Sequence, residues 1–116
     1  MNREIKFRAW DGEKIRDDFL LSADGEILTS ETIPFTVQTS WKLLRYTGLK
    51  DKNGKEIYEG YIIIGRDYKD RAGEPRIVEY STLGFHVAHL PIGMINKCEV
   101  IGNIYEHPEL LKETSQ

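Results

Sequence analysis

The sequence predicts a mainly β fold, a small antiparallel barrel-like sheet with one short C-terminal helix. Three features of the 116-residue chain predict it. Short runs alternate apolar and polar residues with period two, Asp-Gly or Asn-Gly pairs separate several of them, and helical signals are confined to the last ten residues. Many short strands with little helix point to a barrel or a sandwich, and closing the sheet removes the open edges such strands would otherwise leave. A chain of this length fits one domain, 1–116, and 40% hydrophobic with 30% charged residues is enough apolar surface to fold without a metal or a disulfide.

The first element is a hairpin from Arg3 to about Arg16. Ile5, Phe7 and Ala9 share one face of its first strand, Lys6, Arg8 and Trp10 the other, and Asp11-Gly12 supplies the turn. The stretch 17–40 reads as variable and loop-rich. Asp24-Gly25 repeats the hairpin signal between Phe19–Ser22 and Glu26–Thr29, and the end around Pro34 reads as a loop. Residues 41–47, 57–64, 75–80, 84–90 and 98–105 read as strands, rich in β-branched and aromatic side chains. Between the first two of these, Asn53-Gly54 is expected at the centre of a tight hairpin turn, flanked by the apolar contacts Leu49 and Ile57, with Gly60 opening the run Tyr61 to Ile64. The polar link 66–76 reads as an exposed loop. A helical turn at about 108–113 follows, with Pro108 at its first position and Glu109 near the positive end of its dipole.

Composition excludes several function classes. One cysteine, Cys98, permits no internal disulfide and reads as a small buried hydrophobe. The charged start Arg3, Glu4, Lys6, Arg8 does not resemble an export signal, and the longest apolar run, Tyr61 to Ile64, is far short of the roughly 20 residues a spanning helix needs. A cytoplasmic protein that does not enter membranes is expected. Net charge is −3 but uneven: residues 1–16 hold five basic and three acidic groups, 17–40 hold five acidic and no basic, and 41–56 hold five basic and two acidic.

No reaction chemistry assembles from spacing. His86 and His89 stand an odd number of residues apart and would point to opposite faces of a strand, so with His107 and Cys98 they make a poor metal set. From Asp51, a calcium loop would need Gly at its sixth and Glu at its twelfth position, where the chain has Gly at the fourth and Ile62 at the twelfth. There is no phosphate loop, no Gly-x-Ser-x-Gly elbow and no readable nucleophile-base pair. No cofactor, metal ligand or catalytic residue is assigned, and a non-enzymatic protein is expected.

The contact residues that stand out are Trp41, Lys42, Arg45, Tyr46, Lys50, Lys52 and Lys55, basic side chains interleaved with aromatics as on barrels that hold single-stranded nucleic acid. The alternative is that Lys50, Lys52 and Lys55 keep a hairpin tip soluble. The acidic total favours that alternative, and with it a protein partner or self-association, with Trp10, Trp41, Tyr58 and Tyr61 as natural anchors where they are not core residues. An unrecognised enzyme is the third class.

Three blocks, "KFRAWD" (Lys6 to Asp11), "YTGLKDKNGKEIYEG" (Tyr46 to Gly60) and "EVIGNIYEHPELL" (Glu99 to Leu111), resemble the YopX family, found in bacteriophages and prophages of Gram-positive bacteria. The resemblance implies a mainly β, barrel-like fold, a phage or prophage origin and residence in the bacterial host cytoplasm. It transfers no catalytic residue, since that family has no assigned molecular function. It also singles out the turn Asn53, Gly54, Gly60 as a family signature. Two positions depart from it: Tyr61 stands where the family usually has Asp, and His107 where it usually has Asn, a weaker helix cap by about 1 kcal/mol.

Overall fold

The computed structural model describes residues 6–29, 36–66, 74–81, 84–87, 90–91 and 96–112. Twelve strands and one short helix are found among them. Strands β1 (Phe7–Trp10), β2 (Ile15–Arg16), β6 (Lys42–Lys50) and β7 (Glu56–Tyr58) form an antiparallel sheet in the order β2-β1-β6-β7. A second sheet, order β11-β10-β9-β8-β12, combines β8 (Tyr61–Arg66), β9 (Arg76–Ser81), β10 (Gly84–Val87), β11 (Leu90–Pro91) and β12 (Asn96–Asn103). Together they make a curled antiparallel half-barrel, which meets the barrel-like expectation without full closure.

The two sheets join at Gly60. Its N–H donates to the Val78 carbonyl at 2.7 Å and its own carbonyl accepts from Ile104 N–H at 2.9 Å. Its φ is +85° and an added Cβ would lie 3.2 Å from the Tyr105 ring, so the corner suits glycine on two counts. The run 57–64 is therefore two strands broken by the Glu59–Gly60 turn.

The β6–β7 connection differs from expectation in register. Gly54 N–H donates to the Asp51 carbonyl, which places Lys52-Asn53, one residue earlier than expected, at the centre of the turn; Gly54 follows with φ +85°. Upstream, β6 bulges: Tyr46 faces Tyr58 and Lys50 faces Glu56, so two extra residues sit on the β6 side around Gly48. The bulge turns Leu49 outward, 39% exposed, while Ile57 is buried as expected.

Two apolar clusters fill the curl. Ile57, Ile63, Val78, Phe85, Val87 and Cys98 form one; Leu44, Tyr46, Tyr58 and Tyr61 form the other, and Val100 packs against both. Cys98 is buried, as its sequence context predicts, and its thiol is pushed up by burial and then by the Asp51 charge. Within 17–40, the described residues include three short strands. Strands β3 (Leu20–Leu21), β4 (Ile27–Thr29) and β5 (Thr36–Gln38) make a third sheet, closed on one face by the buried Ile27 and Thr29. Such two- and three-residue strands are too short to show a period. The expected loops around Pro34 and at 67–73, and His89, lie outside the described residues.

At the end of the chain, helix α1 (Glu109–Lys112) follows a turn closed by Asn103, whose Oδ1 accepts from Tyr105 and Glu106 N–H at 3.0 and 2.8 Å. His107 does not use its side chain to cap the helix. Its Nδ1 turns back and accepts from Asn103 N–H at 3.2 Å. Among the described residues no helix is long and apolar enough to cross a membrane.

Candidate functional site

Two strands place the site. In β1, Phe7 pairs with Arg45, Arg8 with Leu44, Ala9 with Leu43 and Trp10 with Lys42. Directly paired residues share a face of the sheet, so Arg8 lies on the same side as Leu44. Lys6, two residues earlier, lies there too, and its ammonium sits 5.3 Å from the centre of the Tyr46 ring. Arg8 covers the Tyr58 ring at 5.8 Å. Lys6, just before β1, and Arg8 within it thus hold their charges over rings of the tyrosine cluster.

The Arg8 guanidinium is held on two sides. Nη1 donates to Tyr61 Oη at 2.7 Å; Nε and Nη2 donate to the two carboxylate oxygens of Asp17 at 2.9 and 3.1 Å. Burial works against the Arg8 charge, but Asp17 and Tyr61 outweigh it and hold its pKa above the ordinary value. The phenol of Tyr61 is pushed up by burial against the opposing pull of Arg8. Tyr61 stands where the resemblance implies Asp, so at position 61 Arg8 meets a hydroxyl, its carboxylate partner being Asp17.

Two adjoining clefts open at this point. One, about 540 Å³, is lined by Lys6, Arg8, Asp17, Glu56 and Tyr58; the other, about 400 Å³, by Lys14, Ile15, Gly102, Glu106 and His107; both include Arg8, Lys55 and Tyr61. These volumes lie in the range of ligand sites, which run roughly 300 to 1,000 Å³. Lys6 forms a close ion pair with Glu56, which holds that carboxyl below its usual range. The ammonium groups of Lys14 and Lys55 make no hydrogen bond or ion pair among the described residues. The arrangement offers a fixed guanidinium fork with exposed ammonium groups at its margin, suited to anion binding.

Of the seven contact residues expected from sequence, Lys55 lines the clefts. Tyr46 is buried against Tyr58, ring centres 5.3 Å apart. Arg45 lies on the opposite face of β6 from Tyr46, bonded to Glu59 at 2.7 Å and 4.6 Å from the Tyr80 ring. Trp41 is half-buried, with Arg16 4.8 Å from its ring and Phe19 edge-on. Lys42, Lys50 and Lys52 are exposed, and Lys52 approaches Glu99 at 3.4 Å. One patch does not gather all seven, because neighbours in a strand face opposite ways.

The signature turn is a clamp. Asp51 Oδ1 accepts from Asn53 and Lys55 N–H, both at 2.9 Å, and Oδ2 accepts from Val100 N–H at 2.9 Å. Burial raises the Asp51 pKa, but these three backbone donors outweigh it and hold the carboxyl below its usual range. Lys52 N–H also donates to the Cys98 carbonyl. The hairpin tip is thereby fastened to β12.

Sequence reading missed Lys6, Arg8, Lys14 and Asp17 as site residues. A signal existed: Lys6 and Arg8 alternate on one strand face, in a block that carries the family resemblance. Nothing local shows that Tyr61, 53 residues away, meets Arg8.

Solved structures share the fold. The crystal structure of protein yopX from Bacillus subtilis is similar at a TM-score of 0.66 and 22% identity, covering 94% of this chain and 98% of that one. That of protein EF1440 from Enterococcus faecalis is similar at 0.66 and 25%, covering 95% and 99%. No curated protein matches the chain. The family model described as YopX protein matches residues 6–112, nearly the whole chain, and the chain belongs to the YopX family.

Proposed function

We propose that this protein is a non-enzymatic binding module that grips an acidic segment of a protein partner in the cleft around Arg8. The observation that supports this reading is the guanidinium fork itself, backed by Tyr61 Oη and the Tyr58 ring and flanked by Lys14 and Lys55. A half-buried, pre-oriented arginine loses little freedom when it binds a carboxylate, and its contacts are strengthened by the apolar floor.

Single-stranded nucleic acid is the second reading. Trp10, cross-strand neighbour of the cleft residue Ile15, stacks on Tyr105 with ring centres 5.4 Å apart, and a base could extend such a stack. Against it, Asp17, Glu56 and Glu106 line the same clefts and the chain carries −3. A phosphate backbone carries its charge in the main chain at every repeat, whereas a flexible peptide can turn side-chain carboxylates away from those groups.

Fluorescence anisotropy with a labelled hexaglutamate peptide and a labelled single-stranded oligonucleotide, each at two salt concentrations, separates the readings. The peptide is expected to bind wild type and to be lost from Arg8→Gln. Oligonucleotide binding that weakens as salt rises would favour nucleic acid instead. Failure of the peptide to bind, or indifference to Arg8→Gln, would remove the proposal.

A further inference from the structure

We propose that Asp17 is a tethered stand-in for the ligand: it fills the carboxylate position of the Arg8 fork, and a carboxylate of the partner replaces it. This rests on the binding reading above and names the anchoring group.

The division of labour within the guanidinium supports it. Nη1 is committed to Tyr61, which fixes the plane, and the Nε–Nη2 edge is the one presented outward. That edge takes a planar two-oxygen group side-on, and Asp17 shows the fit with two parallel bonds. The partners differ in exposure: the Arg8 side chain is 29% exposed, the Asp17 side chain 67%. Arg8 is built in, and Asp17 leans on it from outside.

Asp17 has few ties elsewhere. It lies in the irregular segment between β2 and β3, and its carboxylate makes no other hydrogen bond among the described residues. Its neighbour Asp18 is engaged separately, with Arg16. Release of Asp17 therefore breaks one exposed ion pair, and a partner carboxylate restores an equivalent one. Asp17 stands nine positions after Arg8 in the chain, so the tether acts as a local competitor that a ligand must displace. The incoming group can be an Asp or Glu side chain or a C-terminal carboxylate, since both present the same two oxygens.

Removing the competitor should strengthen binding beyond what removing an equal exposed charge elsewhere does, which a merely structural ion pair would not do. The probes are hexaglutamate with acetylated and amidated ends, and an acetylated hexa-alanine with a free C-terminal carboxylate. Each is titrated into wild type, Asp17→Asn, Asp24→Asn and Arg8→Gln, with melting curves to confirm folding. Asp24→Asn removes the same charge from an exposed turn that lines neither cleft, and so measures the general electrostatic effect.

Asp17→Asn is expected to bind about fivefold tighter than wild type, the factor expected when an exposed pair at the upper end of its usual strength no longer competes. Asp24→Asn should change affinity by less than about twofold. The probe that gains identifies the source, side chain or chain terminus. If wild type binds and Arg8→Gln does not, yet Asp17→Asn gains no more than Asp24→Asn, the binding reading stands and the tether is refuted. If neither probe binds any variant, both fall.

Discussion

Asp51 and Val100, 49 residues apart, are joined by a single bond: the Val100 N–H donates to Asp51 Oδ2 at 2.9 Å, while Asp51 Oδ1 holds the Asn53 and Lys55 amides of its own turn. One carboxylate thus shapes the hairpin tip and fastens it to the strand whose Val100 packs against both apolar clusters. Asn in its place keeps one acceptor oxygen and presents an NH₂ to the second set of donors. Asp51→Asn should cost about 2 kcal/mol of stability, read as a lowered urea midpoint at unchanged slope.

The same residue gives a pH dependence. The folded-state pKa of Asp51 lies below its unfolded value, so its stabilisation is complete above the ordinary carboxylate range of about 4 and is lost as pH falls through the folded value. Glu56, lowered by Lys6, adds in the same direction. Asp18, lowered to about 2 by Arg16, is exposed and should contribute little. Urea unfolding at a series of pH values should show wild type weakening below about pH 4. The gap between wild type and Asp51→Asn should shrink over that interval.

Gly102 is a packing constraint with a named neighbour. A Cβ there would lie 2.7 Å from His107 Nδ1 and 3.0 Å from Leu110 Cδ1. The imidazole cannot retreat without giving up the Asn103 N–H it accepts. Gly102→Ala should therefore destabilise by roughly 1 to 3 kcal/mol. Adding His107→Ala makes room, so the double variant should be more stable than the sum of the two single losses predicts, a coupling that thermal melts of all four proteins would reveal.

The third sheet is two-faced, and its faces should respond differently. Leu20, Leu28 and Val37 are consecutive cross-strand partners on one face, with Leu20 54% and Val37 42% exposed; Ile27 on the other is 5% exposed. Ile27→Ala should cost about 2 kcal/mol, whereas Leu20→Ser should stay within about 0.5 kcal/mol. Equal losses would mean that the exposed row is covered.

Much of this architecture is legible in the sequence because it is local. Alternation in 42–46, the positive φ of Gly12 and Gly54, and Glu109 opening a one-turn helix each act within a few residues, so pattern and structure agree there even though the β6–β7 turn is centred one residue early. Long-range pairings are a different matter. No local signal joins Arg8 to Tyr61 or Asp51 to Val100, and the bulge at Gly48 that turns Leu49 outward depends on the register between β6 and β7. The blocks that carry the family resemblance contain these fasteners, Asp51, Gly60 and Asn103, and the β1 cation Arg8 that shapes the cleft. The lysines of the hairpin tip drew attention by their number, yet charge alone does not say which strand face a side chain takes.

The central claim, that the Arg8 cleft receives an acidic segment, is tested most directly by mapping amide shifts of ¹⁵N-labelled protein during titration with amidated hexaglutamate. Saturable shifts are expected, centred on the Arg8 Nε–H and the amides of Lys14, Lys55 and Tyr61, and absent in Arg8→Gln. Shifts centred on the β3–β4–β5 sheet, or none at saturating peptide, would contradict it.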